Sequence, residues 1–196
     1  MSKREARVER KTGETDITLY INLEGSGKTE LNTGVPFLEH MLNLMARHGF
    51  FDLKIQAVGD LEIDAHHLVE DIGIVLGEAF RKAMGSKEGI KRYGFFMLPM
   101  DEALVLASLD LSDRPFLVYN VDIPADKVGE FDTELLEEFF RAFAHEARIT
   151  LHLKLIHGKN SHHIMEALFK ALGRSLDQAL QVDPRVEGVP STKGKL

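Results

Sequence analysis

The sequence predicts an α+β protein made of two similar halves that share one hydrophobic core. Short segments of alternating apolar residues are interspersed with longer segments of helical spacing, which indicates strands and helices in one unit. Both halves have the order strands, helix, strand, helix, and residues 37–55 resemble residues 135–153 at an offset of 98 positions. Such a repeat predicts two copies of one structural unit, packed together as paired α+β layers.

The first half begins with a predicted strand over residues 15–24, where isoleucine and leucine alternate with polar side chains. The GSGKT segment after it ends like a phosphate-binding P-loop. However, Asn22 stands where that motif needs its first glycine, and no strand-to-helix context surrounds it. We therefore interpret GSGKT as a hairpin turn.

A helix is predicted to begin at Pro36, because proline suits the first turn of a helix, and to stop at Gly49. A strand over residues 50–58 follows it. Asp64 is a suitable N-cap for a second helix, which ends near Gly85. This second helix carries the first of two histidine doublets.

The second half repeats this order from residue 93 onwards. We predict strands at about 93–98, 103–111 and 115–123, a helix from Thr133, a strand over 148–156 and a helix over 161–180. The resulting division places a first half-domain at 1–91, a second at 92–182 and a C-terminal tail at 183–196.

The composition excludes several classes of function. Lys and Arg total 24 against 31 Asp and Glu, so a net charge of -7 gives no general attraction to nucleic acid or anionic membranes, and any anion site must be local. The chain has no cysteine, which excludes disulfides and thiolate metal ligands. No apolar signal segment and no run of roughly 20 apolar residues is present. We expect a cytoplasmic protein.

Two histidine doublets, in DAHHLVED and NSHHIMEALFK, carry the predicted chemistry. Residues four apart share one face of a helix, so His66 aligns with Glu70, and His162 aligns with Glu166. An imidazole and a carboxylate at this spacing form a suitable ligand pair for a first-row metal ion. We therefore predict that one ion is held by His66, Glu70, His162 and Glu166.

The second histidines of the doublets, His67 and His163, point aside and need a second ion. The preceding helices offer His40 in the first half and, by the repeat, Glu138 in the second. Mixed nitrogen and oxygen donors without sulfur suit Mn²⁺, Fe²⁺, Co²⁺ or Zn²⁺, with Mn²⁺ the best fit. One doublet alone would be explained by the polar residues that commonly collect at a helix end. Two doublets at equivalent positions of the repeat instead favour a metal-binding site. Asp71, whose repeat counterpart is an alanine, is interpreted as a residue that supports a ligand or solvates the helix, and not as a ligand itself.

With these residues identified, the chain resembles the imidazoleglycerol-phosphate dehydratase family from about Arg4 to its C-terminus. The resemblance rests on GETDI, FLEHML, DAHHLVEDIGIVLGEA, KRYG, MDEALV, DLSDRP, GKNSHHIMEALFKALGRSL and VPSTKGKL. It implies two ferredoxin-like halves, each with a four-stranded sheet and two helices, in an assembly of 24 identical subunits with active sites at subunit contacts. The implied reaction removes water from imidazole glycerol phosphate to give imidazole acetol phosphate, with two Mn²⁺ per active site.

The resemblance also implies site residues. The metal ligands fall on His40, His66, His67, Glu70, Glu138, His162, His163 and Glu166. Glu138 departs from the family pattern, since many members have histidine there, and it changes the charge around its ion. The implied substrate contacts are Glu14, Arg92, Arg114, Lys170, Ser191, Thr192 and Lys193. Their cations suit a phosphate on an acidic protein.

We assign catalysis to Glu14 together with His66, Glu70, His162 and Glu166. Glu14 is the candidate acid or base for the hydroxyl or the adjacent C–H of the substrate.

Two other functions remain open at this stage. One is a two-metal phosphoesterase, in which metal-bound hydroxide attacks phosphorus. The other is an assembly protein whose ions only join subunits. The cation set favours an enzyme of phosphorylated substrates, since a structural metal site needs no phosphate-binding residues.

Overall fold

The computed structural model describes residues 3–194 and contains two four-stranded sheets with the four long helices between them. The first half consists of β1 (Glu5–Lys11), β2 (Thr15–Asn22), β3 (Thr29–Asn32), α1 (Pro36–Gly49), β4 (Asp52–Gly59) and α2 (His66–Met84). The second consists of β5 (Tyr93–Met100), β6 (Ala103–Asp110), β7 (Phe116–Asn120), β8 (Lys127–Val128), β9 (Phe131–Asp132), α3 (Leu135–Glu146), β10 (Thr150–His157) and α4 (Ser161–Leu180).

The two large sheets have equivalent topology. Their strand orders are β1-β2-β4-β3 and β5-β6-β10-β7, and in each the third strand of the half pairs in parallel with the last. The short strands β8 and β9 form an additional ribbon before α3. The predicted α+β fold with internally duplicated halves is thus confirmed, and each half contributes one sheet and two helices.

The helices join the halves by crossing over, because α1 packs on α4 and α2 packs on α3. Both crossings depend on a glycine. A Cβ atom on Gly173 of α4 would lie 2.4 Å from the carbonyl oxygen of Met45, and one on Gly77 of α2 would lie 2.6 Å from that of Phe143. The missing side chains therefore let the helix backbones approach closely, and they occupy equivalent positions in the repeat.

Two strands of the first sheet were not predicted, and one predicted turn is wrong. In β1, only Val8 is buried, so this charged edge strand gives no clear alternation in sequence. In β3, four residues are half-buried or exposed. The GSGKT segment does not close a hairpin, because it crosses from β2 past β4 to β3, and the Asp52 carboxylate accepts the backbone N–H groups of Ser26 and Lys28 along the way.

The helix starts differ slightly from the predictions. The second helix begins at His66, and the Asp64 carboxylate accepts the His66 N–H at 2.7 Å just outside it. The third begins two residues after Thr133, whose hydroxyl donates to the Ala125 carbonyl instead. Within residues 3–194, no helix has the length and apolar character needed to cross a membrane.

Candidate metal centre and anion pocket

The crossing of α1 and α4 brings three predicted ligands together. His40 comes from α1, while His162 and Glu166 lie one turn apart on α4. The Nε2 atoms of His162 and His40 lie 3.2 and 3.5 Å from the same oxygen, Oε2 of Glu166. One ligand atom from each residue lies within 4.8 Å of the other two. This grouping joins residues from both halves at one point.

Lys170 fixes the carboxylate of Glu166 in this group. Its ammonium donates to Oε1 and leaves Oε2 facing the two imidazoles. Burial opposes ionisation of Glu166, but the bonds from Lys170 and His162 outweigh it and hold the pKa of this carboxyl below its ordinary value. Glu166 is therefore a carboxylate with one oxygen tied and one available.

His67 lies in a second group with two acids from different loops. Its Nδ1 is 2.9 Å from Oδ2 of Asp60, which follows β4, and its Nε2 is 3.9 Å from Oε1 of Glu14, in the β1–β2 turn. The hydrogen bond to Asp60 raises the pKa of His67. Asp71 supports the same region, because its buried carboxylate accepts hydrogen bonds from Arg10 and from the Thr15 hydroxyl. It ties α2 to the turn that carries Glu14.

His163 has an acidic environment of similar form. Its Nδ1 is 2.7 Å from Oε2 of Glu102, and its Nε2 is 3.7 Å from Oδ2 of Asp101, both in the β5–β6 turn. The other Glu102 oxygen accepts the backbone N–H groups of Lys159 and Asn160, which precede α4. The hydrogen bond from His163, together with these two, lowers the pKa of Glu102 to about 2.

The predicted division of ligands between two ions differs from the grouping found within the chain. His40 joins His162 and Glu166, whereas the sequence placed it with the second histidines of the doublets. His66 and Glu70 are 4.0 Å apart and, within residues 3–194, belong to no group of three. The reason is geometric: each doublet helix packs on the first helix of the other half, and the two doublet helices do not bring their ligands together.

Glu138, on α3, occupies the position equivalent to His40. Its Oε2 atom lies 3.7 Å from Nε of Arg141. Among the described residues, Glu138 belongs to neither group of three possible ligands.

The residues at the α1–α4 crossing fit a divalent first-row ion. Two imidazole nitrogens and one ionised carboxylate oxygen converge without sulfur, which is the donor set that Mn²⁺, Fe²⁺ and Zn²⁺ accept. Among residues 3–194, three protein donors converge there, so positions remain for a further ligand or a substrate atom.

The predicted substrate contacts separate into two places. Arg92, Arg114, Ser191, Thr192 and Lys193 line one surface cavity of about 940 Å³. Glu14 lies near His67, and Lys170 lies beside Glu166. None of the eight predicted metal ligands lines the cation-rich cavity.

Arg92 organises this cavity by anchoring the C-terminal tail. Its guanidinium donates twice to the Asp110 carboxylate, at 2.6 and 3.0 Å, and once to the Pro190 carbonyl at 2.8 Å. Residues 183–194 of the predicted tail thus fold back against residues 89–92, just before β5, and residues 191–193 reach the cavity. Arg114, with 69% of its side chain exposed, remains open to an anion.

Asp60 and Glu102 are site residues that the sequence reasoning missed. Each accepts a hydrogen bond from the Nδ1 atom of the second histidine of one doublet. Strand pairing makes the β5–β6 turn equivalent to the β1–β2 turn and Glu102 equivalent to Glu14, but this correspondence depends on β1, which the sequence did not predict. No repeat marks Asp60.

Comparisons with known proteins identify the family of the chain. Residues 33–176 match the family described as imidazoleglycerol-phosphate dehydratase. The protein of that name from Acetivibrio thermocellus is 61% identical over 193 residues, covering 98% of this chain and 99% of the relative. That from Pelobacter propionicus is 60% identical over 193 residues, covering 98% and 99%.

Solved structures give the same result for the fold. The imidazoleglycerol-phosphate dehydratase of Staphylococcus aureus superimposes with a TM-score of 0.84 at 42% identity, covering 91% of this chain and 99% of the other. A Pyrococcus furiosus structure described as IGPD in complex with (S)-C348 gives 0.83 at 43% identity, covering 96% and 100%. With matches of this extent in sequence and fold, the chain belongs to the imidazoleglycerol-phosphate dehydratase family.

Proposed function

We propose that this chain removes water from D-erythro-imidazole glycerol phosphate to give imidazole acetol phosphate in histidine biosynthesis. The observation that carries the proposal is the convergence of His40, His162 and Glu166 where α1 crosses α4, in a member of this family. The substrate combines an imidazole ring, which binds metal ions through its nitrogens, with a phosphate, which needs cations.

We propose two Mn²⁺ per active site, held by His40, His66, His67, Glu70, Glu138, His162, His163 and Glu166. The grouping in the structure supports His40, His162 and Glu166 as ligands of one ion. By the repeat, we propose that His66, Glu70 and Glu138 are ligands of the other ion. When bound, such ions supply Lewis-acid charge and a fixed template for the ring.

The chain itself supplies substrate binding and proton transfer. Arg92, Arg114, Ser191, Thr192 and Lys193 hold the phosphate, and Lys170 lies beside Glu166 for a further contact. Glu14, with 57% of its side chain exposed beside His67, moves a proton at the departing hydroxyl or the adjacent C–H. Together with His66, Glu70, His162 and Glu166, it forms the proposed catalytic set.

We also propose that the working enzyme is a homo-oligomer of 24 chains with active sites at subunit contacts. Two observations support this. Within one chain, the cation-rich cavity contains none of the proposed metal ligands, and His66 with Glu70 lacks a third donor among residues 3–194. A neighbouring chain supplies the missing partners in this arrangement. We place the enzyme in the cytoplasm and keep the division at 1–91, 92–182 and 183–196.

The test is incubation of purified, Mn²⁺-loaded protein with imidazole glycerol phosphate, and then separate detection of imidazole acetol phosphate and inorganic phosphate. We expect the keto product without phosphate release. Phosphate release without the keto product would instead identify a two-metal phosphoesterase. If the protein stayed oligomeric but formed neither product, the ions would have the role only of joining subunits.

A further inference from the structure

The turns at the start of the two sheets are equivalent, yet their glutamates lie in different environments. In the first half the Thr12 N–H donates to the Thr15 carbonyl and leaves Gly13 and Glu14 as the turn, and in the second Met100 pairs with Ala103 and leaves Asp101 and Glu102. Glu14 and Glu102 are therefore the second residues of equivalent two-residue turns. Glu102 contacts His163 and two backbone N–H groups, whereas Glu14 lies 3.9 Å from His67 and 57% of its side chain is exposed.

The difference arises from the segment just after the last strand of each half. In the first half Asp60 follows β4 and accepts a hydrogen bond from Nδ1 of His67 at 2.9 Å. In the second half the register between β6 and β10 shifts between Leu155 and His157, so that His157 pairs with Leu104 as Val58 pairs with Asp16, and Lys159 is the residue equivalent to Asp60. Lys159 offers no carboxylate. Its backbone N–H donates to Glu102, which approaches His163 from the β5–β6 turn instead.

We infer that Asp60 and Glu102 are positioning residues, each fixing the ring of one metal-binding histidine, and that Asp60 thereby leaves Glu14 free to act on the substrate. This inference rests on the proposed function, because it concerns how His67 and His163 face an ion. It assigns different tasks to two glutamates at equivalent positions of the repeat.

The chemistry of the contacts supports this assignment. An ionised carboxylate only accepts hydrogen bonds, so Nδ1 of His67 and of His163 carries the proton in both pairs. In the neutral ring Nε2 then bears the lone pair that a metal ion needs. Partners of this kind fix both tautomer and orientation, and their removal costs roughly 10–100-fold in metal affinity.

The test compares Mn²⁺ affinity, measured by equilibrium dialysis of the assembled protein, among five variants. Asp60→Ala and Glu102→Ala remove the acceptor. Asp60→Asn and Glu102→Gln keep an amide oxygen that accepts the same N–H. Glu62→Ala is the matched control, because it removes an exposed acid from the loop of Asp60.

We expect the two alanine variants to bind Mn²⁺ roughly 10–100-fold more weakly, the amide variants to recover most of the loss, and Glu62→Ala to match the unchanged protein. Histidine-selective ¹⁵N NMR of metal-free protein provides a second readout. It is expected to show Nδ1–H for His67 and His163 in their neutral forms, and loss of that preference for His67 in Asp60→Ala and for His163 in Glu102→Ala.

The outcomes separate this inference from the function on which it rests. If the unchanged protein binds Mn²⁺ and both alanine variants bind it equally well, the positioning role is wrong while the metal centre stands. If the alanine variants bind weakly but the amide variants recover nothing, acceptance of the Nδ1 proton is not the cause, and the inference is again overturned. If the unchanged protein binds no Mn²⁺, both the inference and the proposed metal chemistry fail.

Discussion

The α1–α4 and α2–α3 crossings are equivalent in the repeat but differ in how firmly they hold their acids. At the first, Glu166 is buried, tied by Lys170 and faced by His40. At the second, the residue equivalent to Lys170 is Ile74, and 45% of the Glu70 side chain is exposed. Duplication has therefore preserved the spacing of the ligands, while their neighbours decide which crossing is already organised within one chain.

The helices that pack against the doublet helices, α1 and α3, show the same difference. At the first crossing His40 of α1 presents its Nε2 to Glu166. At the second, Glu138 of α3 replaces the imidazole and lies beside Arg141. A preorganised site needs supporting residues as well as ligands, and only the α1–α4 crossing has both within residues 3–194.

The largest contrast is expected from Glu166→Gln and Glu70→Gln. Both variants should lose an ion ligand, and product formation should fall further than the roughly 10–100-fold that loss of an outer partner costs. Only Glu166→Gln removes the charge facing a mostly buried lysine, so metal-free protein should lose roughly 1–3 kcal/mol of unfolding free energy. Glu70→Gln should lose less than about 1 kcal/mol. Urea unfolding measures this difference, and equal losses would contradict the comparison.

Substitution of the equivalent glutamates in the two turns should impair the enzyme in different ways. Glu14→Gln is expected to lower kcat by roughly 10²–10⁴-fold with its Mn²⁺ content unchanged, because it removes a group that moves a proton. Glu102→Ala should weaken Mn²⁺ binding and recover much of its turnover at saturating Mn²⁺. Steady-state assays across Mn²⁺ concentrations distinguish the two. An assembled Glu14→Gln protein with unchanged turnover would show that Glu14 is not the acid or base.

The helix crossings should respond alike to added volume. Gly173→Ala and Gly77→Ala each place a methyl group against a backbone carbonyl, and each should cost roughly 1–3 kcal/mol of unfolding free energy. Denaturant midpoints test this. Gly13→Ala, at an open position, is the control for the general effect of removing a glycine. If the helix variants unfolded like the control, close approach would not be a requirement of either crossing.

The smallest expected effect is on histidine titration in metal-free protein. The Glu102 carboxylate stabilises the protonated ring and raises the pKa of His163 above its ordinary value, so Glu102→Gln should lower it. His48 is a control, because burial lowers its pKa and it should not respond to that change. Histidine ¹⁵N shifts measured against pH give both values. A His163 pKa that Glu102→Gln leaves unaltered would remove this electrostatic link.

The sequence predicted the duplicated fold, the long helices and both doublets because these features repeat along the chain. It did not reveal β1, where charged residues cover an edge strand, or the crossover through GSGKT. It also grouped His40 with partners other than those that lie beside it within one chain, since a repeat identifies equivalent helices without showing which of them cross. Asp60 was missed because its contact depends on how a loop folds back onto α2.

Whether the α1–α4 crossing holds a catalytic metal ion is tested most directly by anomalous X-ray diffraction from crystals of the Mn²⁺-loaded assembly. We expect one manganese peak within ligand distance of His40, His162 and Glu166, and a second near His66 and Glu70. Absence of a peak at His40, His162 and Glu166 in crystals of protein that forms the keto product would contradict a catalytic ion at this crossing.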